Sequence, residues 1–299
     1  MRLIRLKLFV KRHIKQGSLL WKILERCYSW FNGLWRLKGP LGVLPDFLII
    51  GVQKGGTTSL YHYLIQHPDI YGATTKEIEY FSKYSYKSVW WYRSFFPSYL
   101  TKWFCKLRGN IFVTGEASTS YSFFPDVATR VKKVLPNVKI IVLLRNPVDR
   151  AYSQFNHQVR KGREKLSFEE ALGKEEKRLK GEREKLAKDP NYQSFNYDHF
   201  SYTSRGKYDE LLKPWLERFE DNMLILCSED LDKDPERVTN KVFDFLGVSS
   251  YSLGEYHKMD KVGYKKVKAS TRKKLEKLFE PHNERLRKRV GPLCKWLDE

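Results

Sequence analysis

Cysteine is scarce in this 299-residue chain: Cys27, Cys105, Cys227 and Cys294 lie far apart and form no CxxC pair. That scatter excludes a disulfide-stapled mini-fold and argues against a cysteine-ligated zinc site. It fits a reducing compartment, with room for one bridge. Long apolar runs are also missing. None reaches the ~18 residues of a membrane span, and the nearest, Ser18 to Trp35, is broken by Lys22, Glu25, Arg26 and Asn32. A secretory leader is not expected, because the first apolar residues alternate with Arg2, Arg5, Lys7 and Lys11. Too little serine is present for a transit peptide. These absences together predict a cytoplasmic protein, peripheral on a membrane face at most. No HxxxH or carboxylate cluster calls for a metal.

What is abundant is positive charge. Lys plus Arg number 56 against 35 Asp plus Glu, a net +21. An anionic partner follows: nucleic acid, acidic membrane, acidic glycan or a phosphorylated cofactor. The charge is concentrated in residues 1–40, where Glu25 is the lone acid, and from Lys258 onward. Hydrophobic residues at 41% and aromatics at 15% rule out a disordered chain. Residues 1–44 read as a basic amphipathic segment, with Leu19, Leu20, Ile23, Leu24 and Cys27 at helical spacing. A membrane-surface helix and a helix docked on the domain are both open readings. The mixed-sign stretch Arg160 to Lys188 reads as a solvated helix laced by i,i+4 pairs.

Residues 45–299 read as one α/β domain. Buried strands are expected at Phe47–Ile50, Val138–Leu144 and Met223–Cys227, as short apolar runs without alternation. Helical patterns separate them, at Pro125–Leu135, Tyr208–Phe219 and Pro235–Leu246, with a last helix over Thr271–Val290. Strands alternating with helices predict a mainly parallel central sheet with helices on both faces, in three layers.

The first strand runs into GVQKGGTT. Gly51, Gly56 and Thr58 have the spacing of a Walker A loop, but Thr57 replaces its lysine and Lys54 stands three residues earlier. Backbone amides at the following helix can hold a phosphate. No apolar-strand-plus-Asp pattern follows, so a P-loop phosphotransferase is the weaker reading. The second strand ends in Arg145-Asn146-Pro147-Val148-Asp149-Arg150-Ala151-Tyr152-Ser153. An arginine at a strand's carboxyl end and a serine within the next helix can share a second phosphate. A nucleic-acid-binding protein is the third reading, but no recognition motif supports it.

PDFLIIGVQKGGTTSLYHYL and IIVLLRNPVDRAYSQFNH together resemble the two cofactor loops of PAPS-dependent sulfotransferases. KEIEYF, WYRSFFP and GEASTSY extend the resemblance to the glycan-modifying branch related to heparan sulfate sulfotransferases, over about residues 46–291. The resemblance implies a P-loop-like fold and transfer of a sulfuryl group from 3′-phosphoadenosine 5′-phosphosulfate (PAPS) to a hydroxyl or amine, on a carbohydrate, by in-line displacement. It implies Lys54 at the leaving phosphate, with Gly55, Gly56, Thr57 and Thr58 around the 5′ phosphate. Arg145 and Ser153 then meet the 3′ phosphate, and Lys265 closes over the cofactor. Glu77 is the implied general base, flanked by apolar Ile78, Tyr80 and Phe81; Glu79 and Glu116 are the other candidates. Glu79 stands where the branch has histidine, and Ala117 where it often has lysine. Trp90, Trp91, Phe95 and Phe96 are expected in the core, and structural roles are expected for His62, His67, His157 and His199.

Overall fold

Strand β1 (Phe47–Gly51) is buried along its whole length, as an apolar run must be when helices cover both faces of its sheet. The computed structural model describes residues 39–257, 263 and 266–298. The amphipathic pattern of residues 1–38, and Lys265, lie outside them. After β1 come α1 (Thr57–Leu64), β2 (Ile70–Gly72), α2 (Val89–Arg93), α3 (Tyr99–Leu107), β3 (Val113–Ala117), α4 (Val127–Val134) and β4 (Lys139–Leu144). Then follow α5 (Pro147–Arg160), α6 (Phe168–Leu179), α7 (Glu182–Lys188), α8 (Phe195–His199), α9 (Tyr208–Phe219) and β5 (Met223–Cys227). The chain closes with α10 (Ser228–Lys233), α11 (Pro235–Leu246), α12 (Ala269–Val290) and α13 (Lys295–Asp298).

The five strands are ordered β2-β3-β1-β4-β5, and every pairing is parallel. Alternate residues of the central strands feed opposite cores. Leu48, Ile50, Ile140, Val142 and Leu144 face Tyr92, Tyr121, Trp215 and Phe219. Phe47, Ile49, Ile141 and Leu143 face Leu60, Leu64, Val242 and Phe243. Helices thus cover both sides of a parallel sheet, as the strand–helix alternation predicts. Because β1 lies between β3 and β4, its carboxyl end is a topological switch point, where open α/β sheets bind ligands.

Two strands escape the apolar-run criterion. β2 has three residues, and β3 reads VTGEA, yet all five of its residues are buried. Thr114 and Glu116 satisfy themselves there with hydrogen bonds to Tyr71 O and to Tyr92 and Tyr121. The mixed-sign stretch is not one solvated helix. It divides among the end of α5, α6 and α7, and three of its glutamates are buried. Glu164 pairs with Arg178 at 2.5 Å, and Glu175 accepts the backbone amides of Thr203 and Ser204. Burial with full hydrogen bonding costs little.

Cys227 and Cys294 form a disulfide with Cα atoms 5.7 Å apart, while Cys105 is a buried free thiol. The pairing is the one bridge for which the scattered cysteines left room, and it weighs against the reducing compartment they were read to fit. It joins the end of β5 to the segment entering α13. Trp90 corrects another expectation: Phe96 is core and Trp91 and Phe95 pack on it, but Trp90 is exposed. Among the described residues no helix is long and apolar enough to cross a membrane.

Candidate active site

Three loops converge at the carboxyl ends of β1, β3 and β4. The loop after β1 depends on two glycines. Gly56 has φ +89, a left-handed conformation that costs a β-carbon. Gly55 lies under the loop, where an added Cβ would sit 2.8 Å from Leu143 O and 3.0 Å from Val52 O. Its amide donates to Val52 O at 2.9 Å, so Gly55 shapes the turn and spends its donor within it. Lys54 adopts φ 68, a conformation uncommon for a side-chain-bearing residue and often found at functional sites. Helix α1 begins at Thr57, with its first amides facing the loop.

The loop after β4 is locked to the first. Arg145 Nη1 donates to Lys54 O at 2.9 Å, and the Arg145 carbonyl accepts from Tyr208 Oη at 2.8 Å. Asn146 caps α5, accepting from the Val148 amide at 3.0 Å, and Pro147 occupies the first turn. Ser153 is buried two turns into α5. Arg150 is wholly buried and does not line the cavity. It donates to Gln154 and to Tyr202 O, and burial lowers its pKa to about 10. Its work is to anchor α5.

One cavity of about 640 Å³ is lined by Lys54, Gly56, Thr57, Thr58, Glu77, Arg145 and Ser153. The candidate phosphate residues and the candidate base therefore share a single space. Glu77 is held by Thr119, whose amide donates to Oε2 at 2.9 Å and whose hydroxyl reaches the same atom at 2.9 Å. Lys76 Nζ lies 3.1 Å from Glu77 Oε1 and 3.3 Å from Thr58 Oγ1, bridging the carboxylate to the start of α1. The apolar neighbours Ile78, Tyr80 and Phe81 turn into the core. Polar groups, not these three, surround the Glu77 carboxylate.

The other two carboxylates separate clearly. Glu116 is sealed off, 1% exposed, accepting from Tyr92, Tyr121 and Ser118 at 2.7–2.8 Å, and burial pushes its pKa up to about 6. Glu79 lines the cavity, and Lys83 Nζ lies 3.0 Å from both Glu79 and Asp198. Burial raises the Glu79 carboxyl, with Lys83 opposing.

The cavity also takes in groups that the motifs do not mark: Lys83, Thr119, Asp198, Arg205 and Ser228, together with His157 and His199. His199, with its pKa lowered to about 4 by burial and Arg163, is neutral at physiological pH. His67 is structural: Nε2 donates to Ser249 O at 3.0 Å, Nδ1 accepts the Asp69 amide at 3.1 Å, and the ring packs on Phe243. Lys83 and Asp198 are brought together only by packing of α8 against the KEIEYF segment, which no local pattern announces.

The sulfotransferase domain family matches residues 44–297. The chain belongs to that family and is a PAPS-dependent sulfotransferase. It is 26% identical to the membrane-associated sulfotransferase kil1 of Dictyostelium discoideum, over 87% of this chain and 68% of that protein. It is 31% identical to mouse heparan sulfate glucosamine 3-O-sulfotransferase 3B1, over 69% of this chain and 46% of that protein. The crystal structure of a sulfotransferase from Alicyclobacillus acidocaldarius superimposes with a TM-score of 0.66 at 30% identity, covering 86% of this chain and 100% of that one. The chain spans less than half of the mouse relative's length.

Proposed function

We propose that the chain moves the sulfuryl group of PAPS to a hydroxyl or amine of a carbohydrate, with Glu77 as base and Lys54 at the leaving group. The observation that carries this reading is the shared cavity, in which the loops after β1 and β4 are tied by the Arg145–Lys54 hydrogen bond beside Glu77. The donor supplies an activated sulfuryl group on a phosphate. Glu77 takes the acceptor's proton as the acceptor oxygen or nitrogen bonds to sulfur. Lys54 meets the negative charge that collects on the departing 5′ phosphate as its bond to sulfur breaks. Thr57, Thr58 and the Gly56 amide hold that phosphate at the start of α1, while Gly55 packs beneath them. Arg145 and Ser153 take the 3′ phosphate, and Lys265 completes the grip. Two buried polar atoms suit such a ligand. Gln53 Oε1 and Arg205 Nε, in residues lining the cavity, have no hydrogen-bond partner among the described residues.

We assign the charge relief to these cations rather than to a metal, and no role to nucleic acid. The heparan sulfate relatives support a carbohydrate acceptor, with an acidic glycan suiting the net charge. The relative from Dictyostelium is membrane-associated, which supports peripheral membrane contact through residues 1–40. The cytoplasmic expectation is not carried forward, since a bridge such as Cys227–Cys294 persists in oxidising compartments.

Incubation of the full chain with labelled PAPS and a panel of glycans, with and without a chelator, tests the reading. Transfer is expected without added magnesium. Glu77→Gln is expected to lower kcat by about 10²–10⁴-fold while keeping affinity for the desulfated donor. Full activity in Glu77→Gln sinks the base assignment, and phosphate transfer from ATP sinks the donor.

A further inference from the structure

Helix α3 wears its apolar face outward. Tyr99, Leu100, Trp103, Phe104 and Leu107 recur at the spacing of one helix face, the stripe that ordinarily packs on a core. Here those side chains are 52–63% exposed, and Cys105 is the buried residue of the helix. The surface continues beyond the helix. Arg93 stacks its guanidinium over Tyr99 and donates to Gly42 O and Pro40 O, which brings the exposed Leu41 alongside. Gly39 packs on the carbonyl of exposed Trp90. An apolar surface this concentrated marks an interaction site.

Charge identifies the occupant. From Tyr80 to Gly115 the chain carries Lys83, Lys87, Arg93, Lys102, Lys106 and Arg108 and no acid. The basic residues 1–38 join the fold at Gly39, on this same face. Two copies pressed together would oppose cation to cation. Trp, Tyr, Phe and Leu on one helix face, flanked by lysine and arginine, is the composition of a helix lying in a lipid headgroup region. We propose that α3, with Trp90 and Leu41, is a docking surface for an anionic bilayer. The inference deepens the membrane contact proposed for residues 1–40 by adding a folded surface to it.

The test is flotation of the full chain with vesicles of phosphatidylcholine alone or mixed with phosphatidylglycerol. Sulfuryl transfer to a soluble acceptor is read on the same preparations, so that a failed surface and a failed enzyme are told apart. Wild type is expected to bind the anionic vesicles and to lose binding at ~1 M salt, where screening shortens to ~3 Å. Trp103→Ser with Leu107→Ser is expected to weaken partition by at least about 30-fold and to leave transfer unchanged, since both side chains are exposed. Lys102→Gln with Lys106→Gln is expected to remove most of the preference for anionic lipid. Unaltered binding in the Trp103/Leu107 variant overturns the inference, leaving residues 1–40 as the contact. No vesicle binding by wild type overturns both. A dimer that the Trp103/Leu107 variant converts to monomer overturns it in favour of a second copy.

Discussion

Breaking the Cys227–Cys294 bridge is expected to cost about 4 kcal/mol. The bridge spans 67 residues, and closing a loop of that length in the unfolded chain removes roughly 15 cal/mol/K of entropy. In the folded state the two sulfurs stay packed, since Cys227 and Cys294 are 4% and 1% exposed. Reduction alone therefore leaves the core filled and isolates the effect of the cross-link. At ~2–4 °C per kcal/mol for a domain of this size, the melting temperature should fall by about 10 °C. A functional consequence is also expected. Trp296, just past Cys294, donates to Glu229 Oε2 at 3.2 Å, while Glu229 Oε1 accepts the Asn146 amide at 2.9 Å. The cross-linked segment thus braces the loop that carries Arg145, and donor affinity should fall several-fold on reduction. Calorimetry with and without reductant, with thiols counted by mass spectrometry, measures both states. A fully reduced protein that melts where the oxidised one does refutes the argument.

Three further outcomes are expected. Gly55→Ala forces a Cβ against the Leu143 and Val52 carbonyls, so the donor's KM should rise at least about 10-fold and stability should fall by about 1–3 kcal/mol; unchanged donor kinetics would show the loop yields freely. Glu116 has its folded pKa raised to about 6 by burial, so its contribution is fully present below the ordinary carboxylate value. That contribution, about 2 kcal/mol, is lost as pH rises through about 6. Urea unfolding of wild type and Glu116→Gln across pH 4–7 should show that slope in wild type alone. Lys83→Met leaves Glu79 and Asp198 unneutralised beside the cavity, so acceptor KM should change by about 10-fold with donor affinity intact, and an unaltered acceptor KM would place the triplet outside acceptor binding.

How much of this was legible in the sequence follows from what each element needs. β1, β4 and β5 are apolar because helices bury both their faces, and the runs FLII, IIVLL and MLILC say so. β3 is as deeply buried but spends its positions on Thr114 and Glu116, whose partners are up to 43 residues away. Glu116 also finds Ser118 and Tyr121 close by in GEASTSY, but its bond to Tyr92 and that of Thr114 to Tyr71 O join segments no local window spans. The two loops proposed to hold the donor's phosphates were readable as turns because glycine spacing and Arg-Asn-Pro encode backbone shape locally. The wall formed by Lys83, Asp198 and Arg205 was not, since tertiary packing assembles it from three segments. The disulfide was unreadable for the same reason, as sequence separation says nothing of proximity.

The distribution of charge bears on what the net +21 does. The cavity is lined by Glu77, Glu79, Asp198 and Asp232 and by Lys54, Lys83, Arg145, Arg160, Arg163 and Arg205, with Lys83 bridging Glu79 and Asp198 and Lys76 reaching Glu77 from beside it. The lining therefore carries more cationic than acidic side chains, which suits the doubly phosphorylated donor proposed for it. Further cations stand outside that lining: Lys87, Arg93, Lys102, Lys106 and Arg108 between Tyr80 and Gly115, and Arg287, Lys288 and Arg289 in the last turn of α12. Charge at such distances from the reacting atoms, screened beyond ~10 Å at moderate salt, does little for the chemical step. It acts on what the molecule approaches. The charge outside the lining is thus a matter of location and of polyanion capture, and the cations of the lining are the ones proposed to meet the donor.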